Sequence, residues 1–176
     1  EPIRDDEMPQ RYAALAELVL GQGVVGSSAG GEFPKFTALR QFAGEDEVRH
    51  VIVKFSGKDD SEGTRRWSDL LVCEHIAARV IEDGLCLRAA QGRVRQAAGR
   101  TFLEVVRFDR HGRHGRSGLL SLLAADAALV GSNGAPWTAA VRRLAALGIV
   151  QPDVDEQTAL LWHFGRLIAN TDIEAK

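Results

Sequence analysis

A glycine-rich run that empties into a β-strand constrains this chain more than any other feature. Residues 21–31, GQGVVGSSAGG, begin as G-x-G-x-x-G at Gly21, Gly23 and Gly26. That pattern marks a dinucleotide-binding turn only where a strand precedes it and a helix follows. Here the order is reversed. Residues 10–20, QRYAALAELVL, set Tyr12, Leu15, Ala16 and Val19 at helical spacing ahead of the glycines. After them KFTALRQF (35–42) carries β-formers into the turn-like AGEDE, and RHVIVKF (49–55) is a compact β-branched strand. The two segments read as an antiparallel hairpin. A dinucleotide fold is rejected on this order.

Residues 61–83 form the clearest helix, with Trp67, Leu70, Leu71, Ala77, Ala78 and Ile81 on one face and Gly84 as its stop. Short segments at 86–90, 93–97 and 101–106, parted by Gly92 and Gly99, predict a three-stranded meander. RFDRHGRHGRSG (107–118) is a basic, glycine-punctuated connection, and the remainder reads as helical over 119–130, 136–147 and 154–170. Pro136 suits a first helical turn, and Asp153 or Asp155 a cap. The expected fold is α+β: five mostly antiparallel strands with one inserted helix, then helices alone. That order matches a protein-kinase-like N-lobe followed by the first helices of an α-helical C-lobe. The chain divides as 1–106 for the N-lobe with its phosphate loop, 107–118 for hinge and connecting loop, and 119–176 for the start of an incomplete C-lobe.

Bulk charge and cysteine content narrow the setting. A net charge of −2 argues against a dedicated nucleic-acid coat, and no direct nucleic-acid binding is expected. Cys73 and Cys86 are too few for a disulfide framework or a cysteine metal site, which fits a reducing, cytoplasmic environment. No membrane segment is expected, because no apolar run is long enough to span a bilayer. No signal-like segment opens the chain. A start at Glu1-Pro2 and a stop after NTDIEAK read as the ends of a fragment.

The residues able to carry chemistry cluster around the hairpin and the long helix. Lys54 interrupts the apolar strand VIVKF and shares a face with Ile52, away from Val51, Val53 and Phe55. Taken alone it is equally an edge-strand lysine that discourages aggregation. Glu74 falls in the middle of the long helix's apolar stripe. A carboxylate buried there needs a cation, and Lys54 on the preceding strand is the natural one. The alternative places Glu74 at the stripe's rim, in contact with water. The segment GSSAGGEFPKF (26–36) offers unobstructed backbone N–H groups, the hydroxyls of Ser27 and Ser28 and the charge of Lys35. That suits an anion better than it suits a plain linker. TFLEVVRFDR (101–110) passes from strands to helices, where a kinase fold has its hinge; Glu104, Val106 and Arg107 would meet a base there. His111 and His114 are set among Arg107, Arg110, Arg113 and Arg116; glycines interrupt them, no third ligand is evident, and a solvated loop is expected with no metal site. Leu160, Leu161, Phe164, Leu167 and Ile168 predict a buried helix face that delivers Asp172, either a proton acceptor or a simple turn aspartate. His163 beside that face reads as structural.

In order along the chain, SSAGGEFPKF, HVIVKF, WSDLLVCEHIA, FLEVVRFDR and LLWHFGRLIANTD resemble the HipA-like serine/threonine kinases, toxin components of bacterial toxin–antitoxin systems. The resemblance covers the chain from about residue 22. It implies transfer of the ATP γ-phosphate, with Mg²⁺, to a hydroxyl of a protein substrate. It implies that Lys54 binds phosphate, that Asp172 is the catalytic base, and that the loop through Ser28, Ala29, Gly30, Gly31 and Lys35 closes over ATP. It also implies self-phosphorylation at Ser27, which adds roughly two negative charges to a loop suited to phosphate and so ejects it. A DNA-binding antitoxin is the implied partner. The chain departs from the family at Phe33, at Val106 where the hinge often has glutamate, and at Glu174 where a histidine is common. It ends at Lys176, before the asparagine and aspartate that hold metal in kinases, so this stretch alone is expected to be inactive. Two rivals stay open: a catalytically silent nucleotide- or antitoxin-binding module, and a small-molecule phosphotransferase of the same fold.

Overall fold

The computed structural model describes residues 1–21, 34–131 and 136–170. They form an α+β structure in two compact units, 1–117 and 118–176. No helix among the described residues is long and apolar enough to cross a membrane.

The first unit is a five-stranded mixed sheet with a helix on each face. Its strands are β1 (Ile3–Arg4), β2 (Lys35–Gln41), β3 (Val48–Phe55), β4 (Gly92–Ala97) and β5 (Arg100–Val106), in the order β1-β2-β3-β5-β4. The expected hairpin is present: β2 and β3 are antiparallel, in register from Lys35 opposite Lys54 to Gln41 opposite Val48. β1 pairs parallel to β2, and the remaining neighbours are antiparallel.

The strand count agrees with the sequence reading, but the set of strands does not. Residues 86–90 form no strand, and the fifth place is taken by β1. The helix before that segment, α2 (Glu62–Gly84), runs through Gly84 and ends with Cys86 in the left-handed region at φ 54°. The Leu85 N–H then bonds the Val80 carbonyl, and the Leu87 N–H that of Ile81. Backbone donors consumed by a helix end are lost to a sheet.

Period-two burial along β3 sorts the sheet's two faces. Val51, Val53 and Phe55 are buried, while Ile52 and Lys54 are partly open. The buried face packs on helix α1 (Met8–Gly21) through Tyr12 and Ala16, with Phe36, Phe55 and Phe102 completing the core. Tyr12 meets Phe36 edge-on at 5.3 Å and Phe102 at 5.5 Å, the offset geometry that ring quadrupoles favour. The other face carries α2. Its start is fixed by Ser61, whose Oγ accepts from the Thr64 N–H at 3.2 Å. It is anchored by fully buried Leu71 and by a 2.6 Å bond between Ser68 and Thr101. The predicted stripe is therefore rotated: Leu71 is covered, whereas Trp67 and Leu70 lie on the exposed side.

Past β5 the chain makes a small hairpin of β6 (Arg110–His111) and β7 (Gly115–Arg116), where a plain loop was expected. The second unit holds α3 (Leu122–Leu129), α4 (Trp137–Ala146) and α5 (Asp153–Leu167). Ala140, Val141 and Leu144 are its buried centre, and Trp137 packs against Trp162 at 5.7 Å. Three expectations fail here. Pro136 occupies the N-cap itself, one place before the first turn. Neither Asp153 nor Asp155 caps α5: the cap is Pro152, Asp153 accepts from Gln157 within the helix, and Asp155 pairs with Arg142 at 3.3 Å. Nor is the α5 face buried. Leu160, Leu167 and Ile168 are exposed, Leu161 and Phe164 are half-buried, and exposed His163 has no core role.

Candidate functional site

Register, rather than sequence proximity, assembles the site. Lys35 and Lys54 are direct cross-strand partners, so both ammonium stems rise from the same face of the β2–β3 hairpin. Glu74 stands three residues beyond Leu71, at the flank of the stripe that seats α2 on the sheet. From there both of its carboxylate oxygens receive the Lys54 ammonium, each at 2.7 Å. The pair forms in the open: Lys54 is 27% and Glu74 43% exposed. The expectation of a buried Glu74 is thus corrected to the rim position, and solvent screening keeps the pair's own contribution to stability small. Lys35, by contrast, is buried. Burial and then the neighbouring Lys54 charge hold its ammonium below the usual lysine range, with Glu74 partly offsetting them.

At the end of β5 the expected hinge contacts are mostly committed to the protein. The Val106 N–H bonds the Gln91 carbonyl, and the Arg107 N–H bonds that of His50, both at 2.8 Å. Those two amides are removed as donors to a base. Glu104 is removed as well: it lies opposite Val53, on the α1 face, and is buried there. The Arg107 side chain grips Asp109 through two bonds, at 2.9 and 2.6 Å. Arg107 first, and Arg110 to a smaller degree, hold the Asp109 carboxyl at a pKa of about 2. A cavity of about 80 Å³ near this point is lined by Arg93, Glu104 and Val106, so it belongs to the α1 side and is too small for a nucleotide.

The chain is similar to Toxin YjjJ of Escherichia coli (strain K12). The two are 40% identical over 171 residues, which take in 97% of this chain and 38% of the relative. The chain therefore spans well under half of that protein's length. No family model matches the chain, and no solved structure matches it.

Several sequence-derived candidates lie outside the described residues: Ser27, Ser28, Ala29, Gly30, Gly31 and Phe33 of the glycine segment, and Asp172 and Glu174 after α5. Lys35, Lys54 and Glu74 are brought together. His111 bonds the Ser117 hydroxyl at 2.7 Å, and no cluster of three or more His, Cys, Asp or Glu suited to a metal occurs among the described residues.

The sequence reading missed a second polar constellation, on the α1 face. Fully buried Arg40 donates from Nε to Glu104 at 2.7 Å and from Nη1 to the Ile3 carbonyl at 2.6 Å, and it pairs with Asp5. The Tyr12 hydroxyl donates to the same Glu104 oxygen. Burial, then the adjacent Glu104 charge, push the Tyr12 hydroxyl far above the ordinary phenol range. This network ties β1, α1, β2 and β5 together. Its signal was available in TALRQF and TFLEVV, each of which holds a charge inside an apolar strand.

Proposed function

We propose that the chain is the nucleotide-binding part of a bacterial toxin that transfers the γ-phosphate of ATP to a serine or threonine of a protein, in the manner of the HipA-like kinases. The observation that carries this reading is the Lys35–Lys54 pair beside Glu74. Like charges on directly opposed positions repel. An oligophosphate lying over them relieves that repulsion, and the strand that carries Lys35 follows directly on a glycine segment rich in backbone donors. In this assignment Lys54 holds phosphate oxygens, Glu74 fixes the direction of the Lys54 stem, and Lys35 adds a second cation. Bound with the nucleotide, Mg²⁺ would supply further neutralisation of phosphate charge. Asp172 as the proton acceptor, the Ser28–Gly31 backbone as the cover, and Ser27 as a self-modification site rest on the family resemblance. The Val106 and Arg107 amides are taken, so in this reading base contacts come from other groups of the segment that follows β5. The name of the similar protein supports the toxin part of the assignment. A protein substrate, a DNA-binding antitoxin and a cytoplasmic setting belong to the same proposal and rest on the family resemblance.

The test uses the full-length protein with ATP labelled at the γ-phosphate. The expected result is labelling of the protein itself and of a protein in a lysate, abolished by Lys54→Ala with an unchanged melting temperature. Failure of the folded full-length protein to bind ATP at all would sink the assignment. A second reading, a silent nucleotide-binding module, is motivated by Glu174. It predicts ATP binding that Lys54→Ala weakens, with no transfer to any acceptor.

A further inference from the structure

Residues 107–117, between β5 and the second unit, hold four arginines against a single aspartate, with two histidines and a phenylalanine. The acid is fully committed at the hairpin's base. Asp109 takes two bonds from Arg107 and lies 3.4 Å from Arg110, and its carbonyl receives the Ser117 N–H. Farther out, Arg113, His114 and Arg116 are exposed, and none has an acid partner among the described residues. Three other exposed arginines of this unit do find acids: Arg49 with Glu45, Arg65 with Asp60, and Arg79 with Glu82 and Asp83.

The hairpin is built rather than slack. Gly112 sits at φ +51°, and a Cβ on Gly115 would stand 2.6 Å from the His111 carbonyl oxygen. The His111 ring bonds Ser117, and the His50 ring bonds the Arg113 carbonyl at 3.2 Å, fastening the turn to β3. Next to this fixed cationic turn, the Phe108 ring is 77% exposed.

We infer that the 107–117 hairpin binds single-stranded nucleic acid, with Arg113 and Arg116 on phosphates and Phe108 stacked against an unpaired base. An acidic peptide would be served by the cations alone. An uncovered aromatic ring within a few residues of exposed guanidinium forks is the combination that suits a flexible phosphate backbone with accessible base faces. Paired bases offer no face to such a ring. The chain's net charge of −2 is no obstacle, since it averages over acids that lie away from this turn. The inference departs from the expectation that no nucleic acid binds directly. The inference is independent of phosphoryl transfer.

The test measures fluorescence anisotropy of a labelled 12-nucleotide RNA of mixed sequence with the full-length protein, at several salt concentrations. Arg113→Glu with Arg116→Glu is expected to weaken binding about tenfold or more and to lower the salt slope by about 1.4, the share of two single-strand phosphate contacts. Phe108→Ala is expected to weaken binding about fivefold with the slope unchanged. Arg113→Gln with Arg116→Gln, checked by thermal melting, covers the case in which charge reversal disturbs the fold. Absence of RNA binding by the unaltered protein overturns the inference, as does unchanged binding by a folded double variant. Displacement of the RNA by a poly-glutamate peptide at equal charge concentration also overturns it, in favour of an acidic protein segment.

Discussion

Two ion pairs on opposite faces of one sheet should respond unequally to comparable substitutions. Arg40 and Glu104 are both buried, so Arg40→Leu leaves a carboxylate in the core with only the Tyr12 hydroxyl for company. The expected loss is about 3–5 kcal/mol of unfolding free energy in a urea titration. Glu74→Gln, at an exposed pair, is expected to change the same quantity by less than about 1 kcal/mol and, under the proposed assignment, to lower nucleotide affinity. Equal effects would mean that the α1-face network is not what locks the unit. Acid sensitivity belongs to single residues too. Asp109 has a folded pKa of about 2 against an ordinary 3.8, so its stabilisation is complete above about pH 4 and drains away as pH falls toward 2. Asp109→Asn is therefore expected to flatten the loss of stability between pH 4 and 2, measured by chemical denaturation at each pH. The sequence exposed Lys54 and Glu74 because each breaks an apolar pattern. Arg40 and Glu104 break theirs equally well. What the sequence lacks is register: a one-place shift would put Glu104 opposite Lys54 in place of Val53, and only the observed β3–β5 pairing decides between faces.

Element ends are where the sequence was least legible, because they depend on backbone conformations that side chains do not announce. α2 does end at Gly84, as its sequence suggests, yet the left-handed residue after it is Cys86. The β4–β5 turn likewise places Ala98 at φ 49° ahead of Gly99 at φ 73°, two left-handed residues in a two-residue hairpin loop. That is the turn for which Asn-Gly or Gly-Gly is favoured, and an L-alanine in it is strained. Ala98→Gly and Cys86→Gly are each expected to raise stability by about 0.5–1 kcal/mol, read as a higher urea midpoint at constant slope. A fall in midpoint at either position would show that its left-handed geometry is wrongly placed. Long periodic elements fared better. The β2–β3 hairpin and α2 were legible because their apolar spacing extends over many residues, although the α2 stripe was misplaced by a partial turn. A capping serine at position 61 contributes about 1 kcal/mol to fixing that helix start, and through it the reach of Glu74.

At the scale of the molecule, the two units differ in how far each completes its own core. Unit 1–117 encloses Tyr12, Phe36, Phe55, Phe102, Val51, Val53 and Leu71, all drawn from its own elements. Among its described residues unit 118–176 buries little apolar surface beyond Ala125, Ala140, Val141 and Leu144, and it leaves Leu120 69% and Leu167 85% exposed. Apolar periodicity marked the helices of the second unit correctly in kind but could not tell a face that is covered from one that is merely apolar, as Leu160 and Leu167 show. Burial is the property that decides independent folding, since marginal domains survive only by removing enough apolar surface to offset chain entropy. Residues 1–117 produced alone are therefore expected to unfold cooperatively in urea, with a slope of about 1–1.5 kcal/mol per molar. Residues 118–176 alone are expected to show no cooperative transition and to bind a hydrophobic dye such as ANS. A sharp transition in the shorter piece, or its absence in the longer one, would reverse that ranking of the two cores. It would also remove the rigid platform on which Lys35, Lys54 and Glu74 are held together.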